Sequence, residues 1–174
     1  MSGYCYFNNA AIAADCLSGH GKIAILDIDF HHGNGTQDIF YERSDVLYVS
    51  IHADPHDKFP YISGFSDESG KGKGIGFNKN YPLALGTKDQ EYLKVLMRAL
   101  KDVEEFKPRY LVVSLGFDTY EKDPIGGFKI TPGFYKEIAR NIKGLELPTL
   151  LIQEGGYNVE DLGKLSYLFL QGME

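Results

Sequence analysis

Ile23-Ala24-Ile25-Leu26-Asp27-Ile28-Asp29-Phe30-His31-His32-Gly33-Asn34-Gly35 is the stretch on which the fold turns. It opens as a short apolar run and closes in carboxylates, imidazoles and glycines. A strand covered on both faces reads this way, whereas a strand with one wet face alternates strictly. Residues 46–51, 110–115 and 149–152 share the pattern, so with 23–28 they are expected to form buried strands. Helical patterns lie between and around them. Residues 8–17 are alanine-rich with apolar positions at helical spacing. Residues 89–106 set Tyr92, Leu93, Leu96, Leu100 and Val103 on one stripe, and Pro108 follows as a stop. Thr131-Pro132 reads as the N-cap and first turn of a helix running to about 142, with Gly144 as its C-cap. Residues 160–170 read as a last helix. Strands alternating with helices predict an α/β fold, a parallel sheet in an α/β/α sandwich. Residues 52–86 stand apart, with six glycines (64, 70, 72, 74, 76, 86), three prolines (55, 60, 82) and no sustained period. A loop that long inside a compact domain is expected to be functional or disordered.

The whole chain has 174 residues, enough for one domain, expected over 1–174. Its 18 basic and 24 acidic side chains give a net charge of −6, which argues against nucleic acid as a partner because phosphate neutralisation needs basic patches. Apolar residues at 43% suit a globular core. The two cysteines, Cys5 and Cys16, exclude a disulfide scaffold and fit reduced thiols in the cytoplasm. No run approaches the ~20 apolar residues of a membrane span, and no basic region precedes Tyr4-Cys5-Tyr6-Phe7, so neither membrane insertion nor secretion is expected.

The chemistry gathers where the strands end. In an extended chain Asp27, Asp29 and His31 share one face, and two carboxylates beside an imidazole repel or stay protonated unless a cation sits among them. The third strand runs into Gly116-Phe117-Asp118 and the fourth into Glu154-Gly155-Gly156-Tyr157. Parallel α/β sheets bind ligands at the carboxyl ends of their strands, so Asp29, His31, Asp118 and Tyr157 are expected to converge. Two carboxylates and one imidazole leave an open position on a divalent cation, as in catalytic zinc sites; Fe²⁺, Co²⁺ and Mn²⁺ fit the same donors. Tyr157 could then donate a hydrogen bond to a carbonyl oxygen as charge develops on it. Taken singly, an aspartate after a strand reads as a helix cap, Gly-Gly-Tyr as a turn, and a His-His pair as very little. Asp27, Asp29, His31 and His32 together within six positions do not reduce to structure.

With these motifs in hand, the chain resembles the zinc-dependent family of histone deacetylases and acetylpolyamine amidohydrolases, which share the arginase–deacetylase fold. The matching text is Gly3-Tyr4-Cys5-Tyr6-Phe7-Asn8, residues 27–35, Val49-Ser50-Ile51-His52 with Phe59-Pro60, Gly116-Phe117-Asp118 with Asp123-Pro124, and Glu154-Gly155-Gly156-Tyr157. These blocks keep the family's order, and the details look most like the bacterial acetylpolyamine amidohydrolase branch. The resemblance implies that Asp29, His31 and Asp118 bind Zn²⁺ and that Tyr157 polarises the acetyl carbonyl. It implies a structural K⁺ among Asp27, Asp29, His31, Ser50 and Ile51. It implies a channel lined by Gly3, Tyr4, Phe59, Gly155 and Gly156 that admits an acetylated lysine or a small acetylated amine. His32 would stand beside the ligand without a catalytic role.

One element of the family pattern is missing. Its members carry a tandem histidine pair a few residues upstream of the Gly-[Phe/Tyr]-Cys motif, as general base and acid, and nothing precedes Gly3 here except Met1-Ser2. Asp27 and Asn34 are the expected partners that orient that pair. The chain is therefore expected to be the C-terminal part of a deacetylase lacking the N-terminal part, whether excised, split or degraded. Its function is expected to be amide hydrolysis, impaired when alone; a catalytically inactive metal-binding remnant is the second reading, and a plain interaction domain the third. A sheet missing its early strands exposes an edge, so a homo-oligomer or a complementing N-terminal fragment is expected.

Overall fold

The computed structural model describes residues 4–174. Five parallel strands form one sheet: β1 (Ile23–Asp27), β2 (Val46–Ala53), β3 (Asn78–Leu83), β4 (Tyr110–Leu115) and β5 (Thr149–Gln153), in the order β3-β2-β1-β4-β5. The helices are α1 (Asn9–Ser18), α2 (Asn34–Phe40), α3 (Asp89–Phe106), α4 (Phe134–Lys143) and α5 (Val159–Met173). Among the described residues no helix is long and apolar enough to cross a membrane.

Three of the four apolar runs, β1, β2 and β4, became strands covered on both faces, while β5 is only partly covered. Ala24, Leu26, Leu47, Val49, Leu111 and Val113 pack against α3, α4 and α5, while Ile23, Ile25, Val46, Tyr48 and Val112 meet Ala10, Ala11 and Ala14 of α1. Fully burying a Leu, Ile or Phe side chain stabilises the fold by about 1.5–3 kcal/mol, so these two layers carry much of the driving force. The small face of α1 lets that helix lie close to the sheet. Its first turn is closed by Asn8, whose side chain accepts from the Ala11 N–H at 2.8 Å. The stripe on α3 is as its spacing predicts, with Ala99 and Phe106 joining Tyr92, Leu96, Leu100 and Val103 in the core.

Three expectations need correction. β3 lies inside the stretch read as irregular. It escaped notice because Asn78-Lys79-Asn80-Tyr81-Pro82-Leu83 has no apolar run and contains a proline, which an edge strand tolerates. The short helix α2 was not expected either. Thr131 does not cap α4: its hydroxyl donates to Asp89 Oδ2 of α3 at 2.7 Å, and the N-cap position falls to Gly133.

Register fixes where the functional loops emerge. Asp27 of β1 is level with Ser50 of β2 and Ser114 of β4, and Leu115 of β4 with Gln153 of β5. The chain therefore leaves β1, β4 and β5 at one rim of the sheet.

Candidate metal centre

At that rim β1 hands over to a bend, and the strict alternation assumed for Asp27, Asp29 and His31 stops at Asp27. Asp29 and His31 still reach a common point, joined by Asp118 from the loop after β4. One donor atom from each lies within 4.8 Å of the others. His31 Nδ1 is 3.0 Å from Asp118 Oδ2 and 3.5 Å from Asp29 Oδ1. Asp118 is buried, while Asp29 and His31 are half-buried, so the cluster is open on one side.

Backbone amides aim the carboxylates. Asp29 Oδ1 accepts from the His31 N–H at 2.8 Å and Oδ2 from the Gly155 N–H at 2.8 Å. Asp118 Oδ1 accepts from the Phe30 N–H at 2.9 Å. Gly155 must lack a side chain, because a Cβ there would sit 2.4 Å from Asp118 Oδ2 and 2.7 Å from Asp29 Oδ2.

Electrostatics fit the donor set to a cation. Burial, then the charge of Asp29, pushes Asp118 up to about 7. Burial alone would lower His31, but hydrogen bonds to Asp118 and Asp29 and the charges of both outweigh it and hold the imidazole up to about 9. Beside burial, both shifts reflect the same crowding: two carboxylates face one imidazole with too few positive charges among them. A divalent ion would supply that charge, and the residues present are suited to hold one.

Asp27 is set apart from this triad. Its Oδ2 accepts from the Tyr48 hydroxyl at 2.8 Å and its Oδ1 from the Asp29 N–H at 3.1 Å. Burial and the Asp29 charge hold its carboxyl well above the usual carboxylate range. Ser50, level with Asp27, and Ile51 are fully buried. His32 turns away from the triad, with Nδ1 3.2 Å from Ser63 Oγ and Nε2 3.1 Å from Gln37 Oε1, and burial drives it down to about 4. Asn34 is the first residue of α2, its N–H bonded to the His32 carbonyl at 2.9 Å.

Tyr157 follows Gly155 and Gly156 on the loop after β5. Burial and the charges of Asp118 and Asp29 raise its phenol, so the proton stays on oxygen and the group is a donor. Two aromatic rings flank the cluster: Tyr4 stands edge-on to Tyr157 at 5.8 Å, and Phe59 stands 6.4 Å from the His31 ring. Gly3 lies outside the described residues. Sequence reasoning passed over Tyr48, and it quoted Glu154 and Asp123 within motifs without giving them a role. Tyr48 could have been found, since it lies two positions before Ser50 and so on the same face of β2. Glu154, pushed up to about 6 by burial and Asp29, and Asp123 sit in loops without a period to read.

Comparison with known proteins bears on the chain as a whole. The histone deacetylase domain family matches residues 1–173. Acetylpolyamine amidohydrolase 2 of Pseudomonas aeruginosa is 48% identical over 176 residues, covering 100% of this chain and 51% of that protein. Acetylpolyamine amidohydrolase of Mycoplana ramosa is 50% identical over 165 residues, covering 94% of this chain and 48% of that protein. The crystal structure of acetylpolyamine aminohydrolase from Burkholderia pseudomallei superposes with a TM-score of 0.98 at 44% identity, over 99% of this chain and 51% of that one. The chain thus spans about half the length of the curated relatives it matches.

Proposed function

Because the chain belongs to the histone deacetylase domain family, we propose that it carries the metal-holding and carbonyl-polarising part of an amidohydrolase that removes acetyl groups from a small acetylated amine or from acetyl-lysine. It shares the arginase–deacetylase fold of its solved relatives. The observation that carries the reading is the meeting of Asp29, His31 and Asp118 from two strand ends, with a protonated Tyr157 within electrostatic reach.

In this reading Asp29, His31 and Asp118 hold Zn²⁺, with Fe²⁺ or Co²⁺ suited to the same donors. Such an ion, when bound, would supply polarisation of an acetyl carbonyl and a more acidic water molecule. Tyr157 donates its phenolic hydrogen to the carbonyl oxygen as that oxygen gains negative charge. The Gly155 N–H keeps Asp29 oriented. Tyr4 and Phe59, with Gly155 and Gly156, wall the path by which the acetylated arm enters. Asp27, Asp29, His31, Ser50 and Ile51 are the residues that would hold a structural K⁺; the buried Asp27 carboxyl, raised well above its usual range, supports a cation there.

Proton transfer to the leaving amine is the weak point of these 174 residues on their own. His32 and His52 are both engaged in a buried network and held neutral. A positioned acid–base group contributes roughly 10²–10⁴-fold, and an amine leaves poorly without a proton. The isolated chain is therefore expected to hydrolyse acetyl-amides at least ~10²-fold more slowly than a whole relative, with activated acetyl esters less affected. The tethered imidazoles equally favour the second reading, a metal-binding remnant or a subunit of a split deacetylase. Assays on both substrate classes, with and without a separately made N-terminal half of a relative, decide. Amide turnover that rises on addition of that half and falls in Tyr157→Phe supports the enzyme. Full amidase activity in the isolated chain, undiminished in Tyr157→Phe, overturns the assignment of roles.

A further inference from the structure

We propose that Asp123 is the positioning residue that sets where Tyr157 stands; this rests on the role given to Tyr157 above. The carboxylate of Asp123 accepts four backbone N–H groups from two separate loops. Oδ1 accepts from Ile125 at 2.9 Å and from Gly126 at 3.0 Å. Oδ2 accepts from Tyr157 itself at 2.7 Å and from Asn158 at 3.2 Å. The first pair folds the 123–126 turn; the second holds the main chain from which the phenol projects.

The chemistry calls for a carboxylate. Two oxygens with about four lone-pair sites and no hydrogen match four donors. An amide of the same shape would turn its NH₂ toward one pair of N–H groups and leave that pair unsatisfied. Bonds from N–H to an ionised acceptor are also the stronger kind. The residues around the latch tie it to the metal centre. Gly126 packs so closely on Asp118 that a Cβ there would lie 2.0 Å from the Asp118 carbonyl oxygen. Asn158 donates from Nδ2 to the Lys122 carbonyl at 3.0 Å and accepts from the Asp161 N–H at 3.0 Å, which opens α5. Tyr120 donates to Asp161 Oδ2 at 2.9 Å. The loop bearing Asp118 and the loop bearing Tyr157 are thereby fastened to each other through Asp123, so the phenol keeps a fixed relation to the metal ligands. A misplacement of about 1 Å in such a group costs on the order of 10²-fold in rate.

The test is Asp123→Asn, read in two ways. Amide hydrogen exchange is expected to speed up about tenfold or more at Tyr157 and Asn158 while amides of β1 and β4 stay protected, as for a local opening. Ester turnover is expected to fall roughly 10–10²-fold in kcat with KM nearly unchanged, and the same substitution in a Tyr157→Phe background is expected to add almost nothing. Unchanged exchange at Tyr157 and Asn158, or equal slowing in both backgrounds, overturns the proposal. A chain without any turnover defeats the activity reading, and exchange then decides the role of Asp123 by itself. Should the Asn variant fail to fold, Asp123→Glu, which keeps the charge but displaces it by one methylene, carries the same expectations.

Discussion

Asp118 and His31 face each other with one proton too many for a metal ligand set, and that sets how the site must respond to pH. His31 holds its proton up to about 9, and Asp118 is pushed up to about 7. A metal needs both in their basic forms, so protons compete with it. Affinity is expected to climb as pH rises through 7 toward 9, and to fall more steeply below 7, where Asp118 also takes a proton. Calorimetry at pH 8 in buffers of different ionisation enthalpy is expected to show about one proton released per ion bound. Affinity that is flat from pH 6 to 9 contradicts the assignment of these ligands. At this scale the sequence was informative where side-chain type decides: Asp29, His31, Asp118 and Tyr157 stand out because polar groups at the ends of buried strands are expensive without a purpose. Tyr48 was open to the same reading through its place on the Ser50 face of β2, whereas the role of Asp123 stayed hidden because its work is hydrogen bonding between loops, and no spacing in the chain encodes that.

The element with most to explain is the segment between β2 and β3. Its composition suggested a functional or disordered loop, and the structure shows order built from polar contacts instead of an apolar repeat. Glu68 Oε2 accepts from the N–H groups of Gly64 at 2.6 Å and Phe65 at 3.0 Å, and from Gln37 Nε2 at 3.0 Å. His52 donates from Nε2 to the Gly64 carbonyl at 2.9 Å, which leaves Nδ1 to accept the Ser50 hydroxyl at 2.7 Å. Gly64 has φ +101°, and a Cβ there would come within 2.8 Å of both His32 Cγ and His52 Nε2. Gly64→Ala is therefore expected to cost about 1–3 kcal/mol in strain and overpacking. That lowers the thermal midpoint by roughly 2–4 °C per kcal/mol in a chain of this size. An unchanged midpoint would show that the loop does not press on the two histidines. The strands and long helices were legible because apolar runs and a 3.6-residue stripe report burial directly; β3, α2 and this network were not, because edge position and side-chain hydrogen bonds leave no such trace.

Across the whole molecule, four of the five strands were readable, and so was the reason the site lies at one rim: parallel strands end together. Of those four, β5 is the one not fully covered. It pairs with β4 along one side only, and Leu150 is 43% exposed, with Tyr167 and Leu170 of α5 also exposed. An uncovered strand edge that carries an exposed leucine is a template for another chain. The 174 residues alone are expected to sediment as a dimer or larger at high micromolar concentration, with Leu150→Lys shifting them toward monomer. A clean monomer at that concentration would count against an adhesive edge. What ties the fold to the chemistry is the convergence of two strand ends on one cluster of metal-ligating side chains. The most direct measurement is titration of demetallated, folded protein with Zn²⁺, beside Asp118→Ala whose fold is verified by circular dichroism. The account predicts one ion bound per chain, with affinity at least ~10²-fold weaker when that ligand is removed. A folded chain that binds no zinc, or an Asp118→Ala variant that binds it equally well, would contradict it.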